Sequence, residues 1–349
     1  MVTVSPNPTN HQEFFGTELG SIYLGDAAET LTERISDASV DLIVTSPPFG
    51  LVRKKDYGNV DAGEYVGWFK RFGHEFYRVL KDTGSLAIDI GGSWIVGQPT
   101  RSLYHYELLI MLCHECGFHL AQEFFWWNPA KLPAPAEWVT VRRIRVKDAV
   151  NCVWWLSKTA WPKASNRRVP WPYSESMLAL LKNGYRPKLR PSGHDISRHF
   201  GVDNGSSIPP NLLIISNTDS NSHYLRYCKE NGIPVHPARF PRYLPEFFIR
   251  MTTDPGDLVI DPFAGSCVTG EVCEELKRKW ICIDTAVEYL EGAVSRFARP
   301  NDGSVEKSFR PMEYKASHPA AAWGSSDEPA LPPDGGRLHR CRRRNEFSE

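Results

Sequence analysis

Two short stretches of the sequence carry residues whose types and order suit chemistry. In the first, LVIDPFAGSCVTG, an apolar run predicted as a strand leads into a helical pattern. Gly265 can therefore make a tight turn close to a ligand, and the helix start offers free N–H groups. About twenty residues after Asp261, WICID ends in Asp284, whose carboxylate could accept both hydroxyls of a ribose. This layout is typical of a nucleoside-cofactor site. The motifs G-x-G-x-x-G and G-x-x-x-x-G-K-[ST] do not fit, which disfavours NAD and ATP.

The second stretch is TSPPFG, residues 45–50, directly after the apolar run VDLIV. Proline fixes the backbone and lacks an amide donor, so this stretch leaves carbonyl oxygens free as acceptors, and Phe49 adds a ring on which a ligand can stack. Open α/β sheets bind ligands at the carboxyl ends of their strands, which is where TSPPFG is predicted to lie.

The order of the two motifs and several further stretches resemble one family. TSPPF before DPFAGS is similar to the β-group amino-methylating DNA methyltransferases, in which the catalytic motif precedes the cofactor motif. Over roughly residues 17–298, the chain also resembles the PvuII-type N4-cytosine methyltransferases, in the stretches NPAKLP, EWV, IRVKDAVN, RPSGHDIS, SIPPNLL, NSHYL and HPARFPRYLPEFFIRM. Cys267 departs from the family motif, which often has Gly or Asn there.

The resemblance implies a Rossmann-like α/β methyltransferase fold with a mostly parallel twisted sheet, permuted motif order and an inserted DNA-recognition module. It further implies methyl transfer from S-adenosyl-L-methionine to N4 of a flipped cytosine within a short sequence of double-stranded DNA. Such an enzyme protects DNA from a partner restriction endonuclease, with which no stable complex is expected. We expect a monomer in a prokaryotic cytoplasm.

Residue roles follow from the resemblance and from the chemistry of amine methylation. Positive charge develops on the amine, so we expect the Ser46 hydroxyl and the carbonyl of Pro47, held by Pro48, to face its hydrogens. Phe49 would stack on the flipped base, and Asp89, at the end of a neighbouring strand, would accept a hydrogen bond from Ser46. The expected cofactor contacts are Asp26, Phe240, Asp261, Phe263, Ala264, Gly265, Ser266 and Asp284.

Other functions remain open from the sequence alone. In this family Ser-Pro-Pro-Phe is usual for N4-cytosine and Asp-Pro-Pro-Tyr for N6-adenine, so N6-adenine methylation is the alternative. An inactive DNA-binding protein that has kept the fold is an alternative of another class, and an RNA or protein methyltransferase is a third. C5-cytosine methylation is disfavoured, because it needs a cysteine after proline and the chain has no Pro-Cys dipeptide.

Apolar runs and helical patterns alternate along most of the chain, which predicts a doubly wound sheet. The predicted strands are residues 21–26, 40–46, 85–92, 118–128, 148–158, the start of 257–265, and 280–284; the predicted helices are 65–80, 103–117, 240–253, 268–279 and 286–298.

The alternation stops between residues 160 and 235, which are rich in Pro, Ser, Asn and Arg. We therefore predict a catalytic half at 17–158, a target-recognition module at 159–235, a cofactor-binding half at 236–299 and a disordered tail at 300–349. Nine Lys/Arg and only two Asp/Glu between Lys158 and Phe200 favour contact with a polyanion, as does VRRIRVK at 141–147. The expected DNA contacts are Arg53, Lys54, Lys55, Arg190, Ser192 and His194.

Composition sets the remaining expectations. With 41% hydrophobic and 23% charged residues, and with no apolar stretch near eighteen residues, the chain has the composition of a globular protein without a membrane span. The start shows no secretion signal, and the eight scattered cysteines fit a reduced state. Cys113 and Cys116 have metal-like spacing, but no second such pair exists, so no metal is expected.

Overall fold

The computed structural model describes residues 12–50, 60–184, 201–217 and 222–297, and these form a single nine-stranded sheet with helices on both faces. The strands are β1 (Gln12–Gly16), β2 (Gly20–Leu24), β3 (Val40–Thr45), β4 (Leu80–Ile90), β5 (His119–Trp127), β6 (Val150–Ser157), β7 (Leu212–Ile214), β8 (Leu258–Asp261) and β9 (Lys279–Asp284). The helices are α1 (Ala27–Arg34), α2 (Tyr65–Val79), α3 (Tyr104–His114), α4 (Glu175–Asn183), α5 (His223–Asn231), α6 (Tyr243–Thr252), α7 (Val268–Leu276) and α8 (Val287–Ala293).

The spatial order of the strands is β1-β2-β9-β8-β3-β4-β6-β5-β7. The central run from β2 to β4 is parallel, and so is the pair of β5 with β7, whereas β1 and β6 pair antiparallel with their neighbours. The predicted mostly parallel, Rossmann-like α/β sheet is thereby confirmed. Because the four strands from β9 to β4 run in the same direction, their carboxyl ends meet at one edge of the sheet.

Apolar side chains on both faces of the central strands explain the layered architecture. All six residues of β3 are buried, with Leu42 and Val44 on one face and Ile43 on the other. Helices α1, α2 and α3 cover the face of Ile43, and α6, α7 and α8 cover the opposite face. Strands buried on both sides need apolar residues throughout rather than in alternation, which is why the runs were recognisable in the sequence.

The register of the central strands positions the two predicted loops. Thr45 lies opposite Ile88, so the next residues, Ser46 and Asp89, follow side by side at the ends of β3 and β4. On the other side of β3, Ile43 pairs with Ile260, one residue before Asp261. The predicted catalytic loop after β3 and the predicted cofactor loop after β8 therefore leave the same edge of the sheet from neighbouring strands.

The predicted recognition module contains elements that the sequence pattern did not indicate: α4, β7 and α5. Strand β7 pairs in parallel with β5, from Phe125 opposite Leu212 to Trp127 opposite Ile214. Residues 212–214 therefore belong to the same sheet as residues 119–127, while the division into a catalytic half and a recognition module at 159–235 stays a prediction. The predicted tail at 300–349 lies outside the described residues.

Two general features of the described residues complete the fold. No helix among them is both long and apolar enough to cross a membrane. The seven cysteines that they contain are free thiols, and five of the seven are buried.

Candidate active site

A cavity of about 590 Å³ lies at the carboxyl ends of the central strands, between the loop after β3 and the loop after β8. Both predicted loops line it, so the structure brings together motifs that are more than two hundred residues apart in the chain. Of the thirteen predicted catalytic and cofactor residues, twelve line this cavity: Ser46, Pro47, Pro48, Phe49, Asp89, Asp26, Phe240, Phe263, Ala264, Gly265, Ser266 and Asp284.

The predicted catalytic loop after β3 is built around a hydrogen bond between Ser46 and Asp89. The Ser46 hydroxyl donates to Oδ2 of Asp89 at 3.0 Å, and the Asn151 side-chain amide donates to Oδ1 at 3.3 Å. Since the hydroxyl hydrogen is directed to Asp89, the lone pairs of Ser46 Oγ are left to accept hydrogens from a ligand in the cavity. This is the arrangement that the sequence predicted for the pair, while its catalytic role stays a prediction.

Asp89 is a buried carboxylate at the wall of the cavity. Burial raises its pKa to about 6, although the hydrogen bonds from Ser46 and Asn151 and the charge of Lys131 act in the opposite direction. Near neutral pH the group is therefore mostly ionised, and the ionised form is the one that can only accept from Ser46.

Phe49 is held by close packing against the end of β4. A Cβ built on Gly91 would lie 2.5 Å from Cε2 and 2.7 Å from Cδ2 of Phe49, so the ring occupies space that any other residue at position 91 would need. The Tyr104 hydroxyl donates to the Gly91 carbonyl and so anchors this part of the backbone. The ring orientation is thereby set before any ligand binds.

The predicted cofactor loop after β8 contains two residues in the left-handed region. Gly265 has φ +50° and Cys267 has φ +52°. A Cβ on Gly265 would lie 2.9 Å from Nε2 of His236, so the glycine is needed both for its backbone conformation and for its lack of a side chain. The left-handed conformation at position 267 also explains why Gly or Asn is favourable there and Cys is a departure.

Asp284 closes the loop from the end of β9. Its Oδ2 accepts from the amide of Gly265 at 2.7 Å and its Oδ1 from the amide of Ala286 at 3.0 Å. Burial raises the pKa of Asp284 above its ordinary value, although hydrogen bonds from the backbone of Ala286, Gly265 and Thr285 act in the opposite direction. A carboxylate has about four acceptor positions, so the side chain can still accept from a ligand hydroxyl.

An acid and two aromatic rings line other parts of the cavity wall. Asp26 caps α1 by accepting from the amides of Ala28 and Glu29 at 3.0 and 3.2 Å, and it pairs with Arg71 at 2.6 Å. Phe263 packs among aromatic residues of α2, with its ring centroid 5.1 Å from that of Phe72. Phe240 lines the cavity from the segment before α6 and packs on the core.

Comparisons with known proteins decide the family. A model of the DNA methylase family matches residues 40–295. The chain is also 52% identical over 296 residues to the type II methyltransferase M.PvuII from Proteus hauseri, covering 84% of this chain and 88% of that protein. The chain belongs to the DNA methylase family.

Two further relatives agree with this assignment. A solved structure of the PvuII DNA methyltransferase (cytosine-N4-specific) matches with a TM-score of 0.66 at 46% identity, covering 82% of this chain and 88% of that one. The type II methyltransferase M.HpaI from Haemophilus parainfluenzae is 28% identical over 293 residues, covering 82% of this chain and 78% of that protein. The resemblance read from the motifs is confirmed, and the protein is a DNA methyltransferase with S-adenosyl-L-methionine as its cofactor.

The residues of the cavity fit S-adenosyl-L-methionine. The volume is in the range usual for sites that bind such ligands. The space that a Cβ on Gly265 would fill stays open, the acids Asp26 and Asp284 supply acceptors for hydroxyl or amine groups, and Phe240 and Phe263 supply apolar surface. When bound, the cofactor supplies a methyl group on a positively charged sulfonium.

Asp261 was predicted as a cofactor contact, but the structure places it behind the cavity rather than on its wall. It is fully buried, and its Oδ1 accepts from the Thr45 hydroxyl at 2.7 Å while its Oδ2 accepts from the Thr269 hydroxyl at 2.6 Å. Thr45 directly precedes Ser46, so this carboxylate ties the end of β3 to the start of α7. Its evident effect is to hold the two loops together.

Asp261 makes the stability of the protein depend on pH. Burial raises its pKa to about 6 from an ordinary 3.8, against the hydrogen bonds from Thr269 and Thr45. A raised pKa in the folded state contributes stability below pH 3.8, and this contribution is lost as the pH rises through about 6.

We expect Asp261→Asn to remove this dependence. As the pH rises from 4 to 7, the unfolding free energy of the wild type should fall by about 2–3 kcal/mol relative to that of the variant. Urea unfolding of both proteins at several pH values measures it. A difference that stays constant across this range would contradict the result.

The sequence did not identify several residues of the cavity wall, and the direction of the strands that carry them explains why. Asn128 and Lys131 follow β5 and Asn151 lies near the start of β6, so they reach the site from an antiparallel pair of strands rather than from the parallel core. The only signal was that NPAKLP and IRVKDAVN belong to the resembling stretches. The predicted DNA contacts Arg53, Lys54, Lys55, Arg190, Ser192 and His194 lie outside the described residues.

Proposed function

We propose that this methyltransferase adds a methyl group to N4 of a cytosine that is flipped out of a short recognition sequence in duplex DNA. The observation that carries the proposal is the cavity shared by the two loops, with Ser46 hydrogen-bonded to Asp89 on one side and the Gly265 turn on the other. The solved PvuII DNA methyltransferase, which is 46% identical to this chain, is cytosine-N4-specific, and this supports the choice of base.

The exocyclic amine of cytosine is a poor nucleophile because its lone pair is conjugated with the ring. As the methyl group arrives, positive charge develops on this nitrogen, and one of its two hydrogens must leave as a proton. Acceptors at Ser46 Oγ and at the Pro47 carbonyl would bind those hydrogens and align the lone pair with the incoming methyl group. Asp89, which accepts from Ser46, would increase the negative character of the serine oxygen.

Flipping the base out of the duplex costs a few kcal/mol, which the cavity must offset. Stacking on an aromatic ring contributes roughly 1–3 kcal/mol per base in single-strand binders. Phe49 is suited to this because packing against Gly91 fixes its ring. A rigid ring loses little conformational entropy when the base arrives.

Residues 141–147 support binding of the DNA backbone. This stretch follows the cavity residue Lys131 in the chain and contains Arg142, Arg143, Arg145 and Lys147. Arg143 is exposed, and its neighbour Ile144 is more than half exposed. We assign phosphate contacts to this stretch and to Arg53, Lys54 and Lys55, and base contacts to the module at 159–235 with Arg190, Ser192 and His194.

The cellular setting belongs to the same proposal. As with type II methyltransferases generally, the modification would protect DNA from a restriction endonuclease of the same specificity, without a stable complex between the two enzymes. The protein would act as a monomer, since hemimethylated DNA presents one unmodified strand at a time. Its setting would be a prokaryotic cytoplasm.

The test is to express the protein in a host without DNA methylation and to sequence its plasmid for modified bases. We expect N4-methylcytosine at one position of a short motif, and none with an Asp89→Ala, Ser46→Ala double variant. N6-methyladenine would establish the alternative reaction instead. Sequence-specific DNA binding without any methylation, or methylation of RNA in preference to duplex DNA, would overturn the proposal.

A further inference from the structure

A series of hydrogen-bonded polar side chains extends from Ser46 and Asp89 along the cavity wall. The Lys131 ammonium donates to Oδ1 of Asn151 at 3.3 Å, and Nδ2 of Asn151 donates to Oδ1 of Asp89 at 3.3 Å. Asp89 Oδ2 in turn accepts from Ser46 at 3.0 Å. The series thus runs through four side chains, each supplied by a different loop or strand, and all four line the cavity.

The donors and acceptors allow each hydrogen bond in this series only one direction. An ammonium can donate but not accept, so Lys131 can pair only with the oxygen of the Asn151 amide. That interaction turns the NH2 group of Asn151 toward Asp89, which as a carboxylate can only accept. In the same way, Asp89 accepts a hydrogen bond from the Ser46 hydroxyl. Each group orients the next, with the positive charge at one end and the serine oxygen at the other.

We propose that Lys131 and Asn151 are positioning residues of the methyl-transfer reaction, which keep Asp89 as a carboxylate directed at Ser46. The inference rests on the proposed function, because it gives these residues their effect through the serine oxygen that faces the amine. Neither residue needs to touch the target base for this effect.

The charges around Asp89 support this assignment. Lys131 faces it from the segment after β5, and Tyr104 of α3, Cys152 of β6 and Arg101 lie in the same region. Burial already raises the pKa of Asp89 to about 6, and the hydrogen bond from Asn151 and the charge of Lys131 prevent a larger rise. Tyr104 and Cys152 are neutral near pH 7, since burial raises the pKa of each.

Loss of either residue should therefore favour the protonated form of Asp89. A protonated Asp89 can donate its own hydrogen to Ser46 Oγ, which would occupy the lone pair needed for the amine. Activity would then require a higher pH before Asp89 loses its proton. The effect appears as a displaced acid limb in the pH profile of kcat, and a merely structural role would not produce it.

The experiment measures kcat against pH from 5.5 to 9 with labelled S-adenosyl-L-methionine and plasmid DNA as the two saturating substrates. For Lys131→Met and Asn151→Leu, we expect the acid limb to move upward by about one pH unit, as for loss of a nearby opposite charge or donor. Lys131→Arg, which keeps the charge, should restore most of the wild-type profile. Lys70→Met removes an exposed ion pair between Lys70 of α2 and Glu115, which directly follows α3. It should leave the profile unchanged.

A second set of variants tests whether the effect passes through Asp89. In an Asp89→Asn background, adding Lys131→Met should cause little further loss of kcat, because the group on which it acts is gone. Additive losses, an unmoved acid limb, or a change confined to the affinity for DNA would overturn the inference. Lys131 lies at the cavity wall rather than in the core, so its variants should fold even if Asn151→Leu does not.

The same assays separate this inference from the proposed function. If the product is N6-methyladenine, the choice of base is wrong, and yet the pH profiles still report on Lys131 and Asn151. If the product is N4-methylcytosine but the profiles of the variants match the wild type, the proposed function stands and the positioning role is wrong.

Discussion

Replacement of Ser46 with alanine is expected to lower kcat by about 10²–10³-fold, which is the usual loss when one hydrogen-bonding group is removed from a developing charge. Ser46 Oγ offers its lone pairs to the cavity only because its hydrogen is donated to Asp89. Alanine removes the acceptor and also leaves Oδ2 of Asp89 without this donor. Single-turnover methyl transfer under saturating cofactor and DNA measures the chemical step directly.

The controls for Ser46→Ala define what the result means. Ser36→Ala, an exposed serine in the turn that precedes β3, should leave the rate unchanged. Cofactor affinity of Ser46→Ala should stay close to that of the wild type, since the Gly265 turn lies on the other side of the cavity. A rate within about threefold of the wild type would assign the acceptor role to other groups, such as the Pro47 carbonyl.

Replacement of Gly265 with alanine should weaken binding of S-adenosyl-L-methionine by tenfold or more, by about 1.4 kcal/mol at least. The new Cβ would lie 2.9 to 3.1 Å from three atoms of the His236 ring. This ring is backed by Tyr289, whose centroid is 4.6 Å away, so it has little room to withdraw. The left-handed conformation at φ +50° adds a cost of roughly 1–2 kcal/mol in stability.

Gly232→Ala is the matched control for this variant. Gly232 has φ +66° at the end of α5, but a Cβ there would meet nothing within 4 Å. It should lose similar stability and keep its cofactor affinity, which separates backbone strain from the clash in the cavity. Isothermal titration with the cofactor and thermal unfolding measure the two effects. Equal cofactor affinity in both variants would contradict the role assigned to the Gly265 turn.

The core of the fold was predictable because parallel strands buried on both faces must be apolar throughout. The runs in β3, β4, β8 and β9 are of this kind, and the apolar face of α2 repeats at helical spacing. The elements of the predicted recognition module were missed for the opposite reason. β7 has only three residues, and no residue of α4 is buried, so neither leaves a pattern in the sequence.

The candidate site was predictable to the extent that it lies in loops after parallel strands. Ser46 directly follows β3 and Asp284 ends β9, and these are positions where ligand-binding groups are expected. Asp261 shows the limit of this rule, because the hydroxyls of Thr45 and Thr269 occupy its carboxylate, and these are contacts that no spacing reveals. Lys131 and Asn151 were beyond prediction, since they meet Asp89 only through the pairing of β6 with β4 and β5.

The pairing of β7 with β5 has a consequence for the redesign of sequence specificity. A chimera that replaces the predicted recognition module with a region lacking an equivalent of Leu212–Ile214 would leave the backbone of Phe125–Trp127 unpaired at the edge of the described sheet. Unpaired edges of this kind promote aggregation. Grafts that retain β7 and exchange only the residues before it should therefore yield soluble hybrids more often.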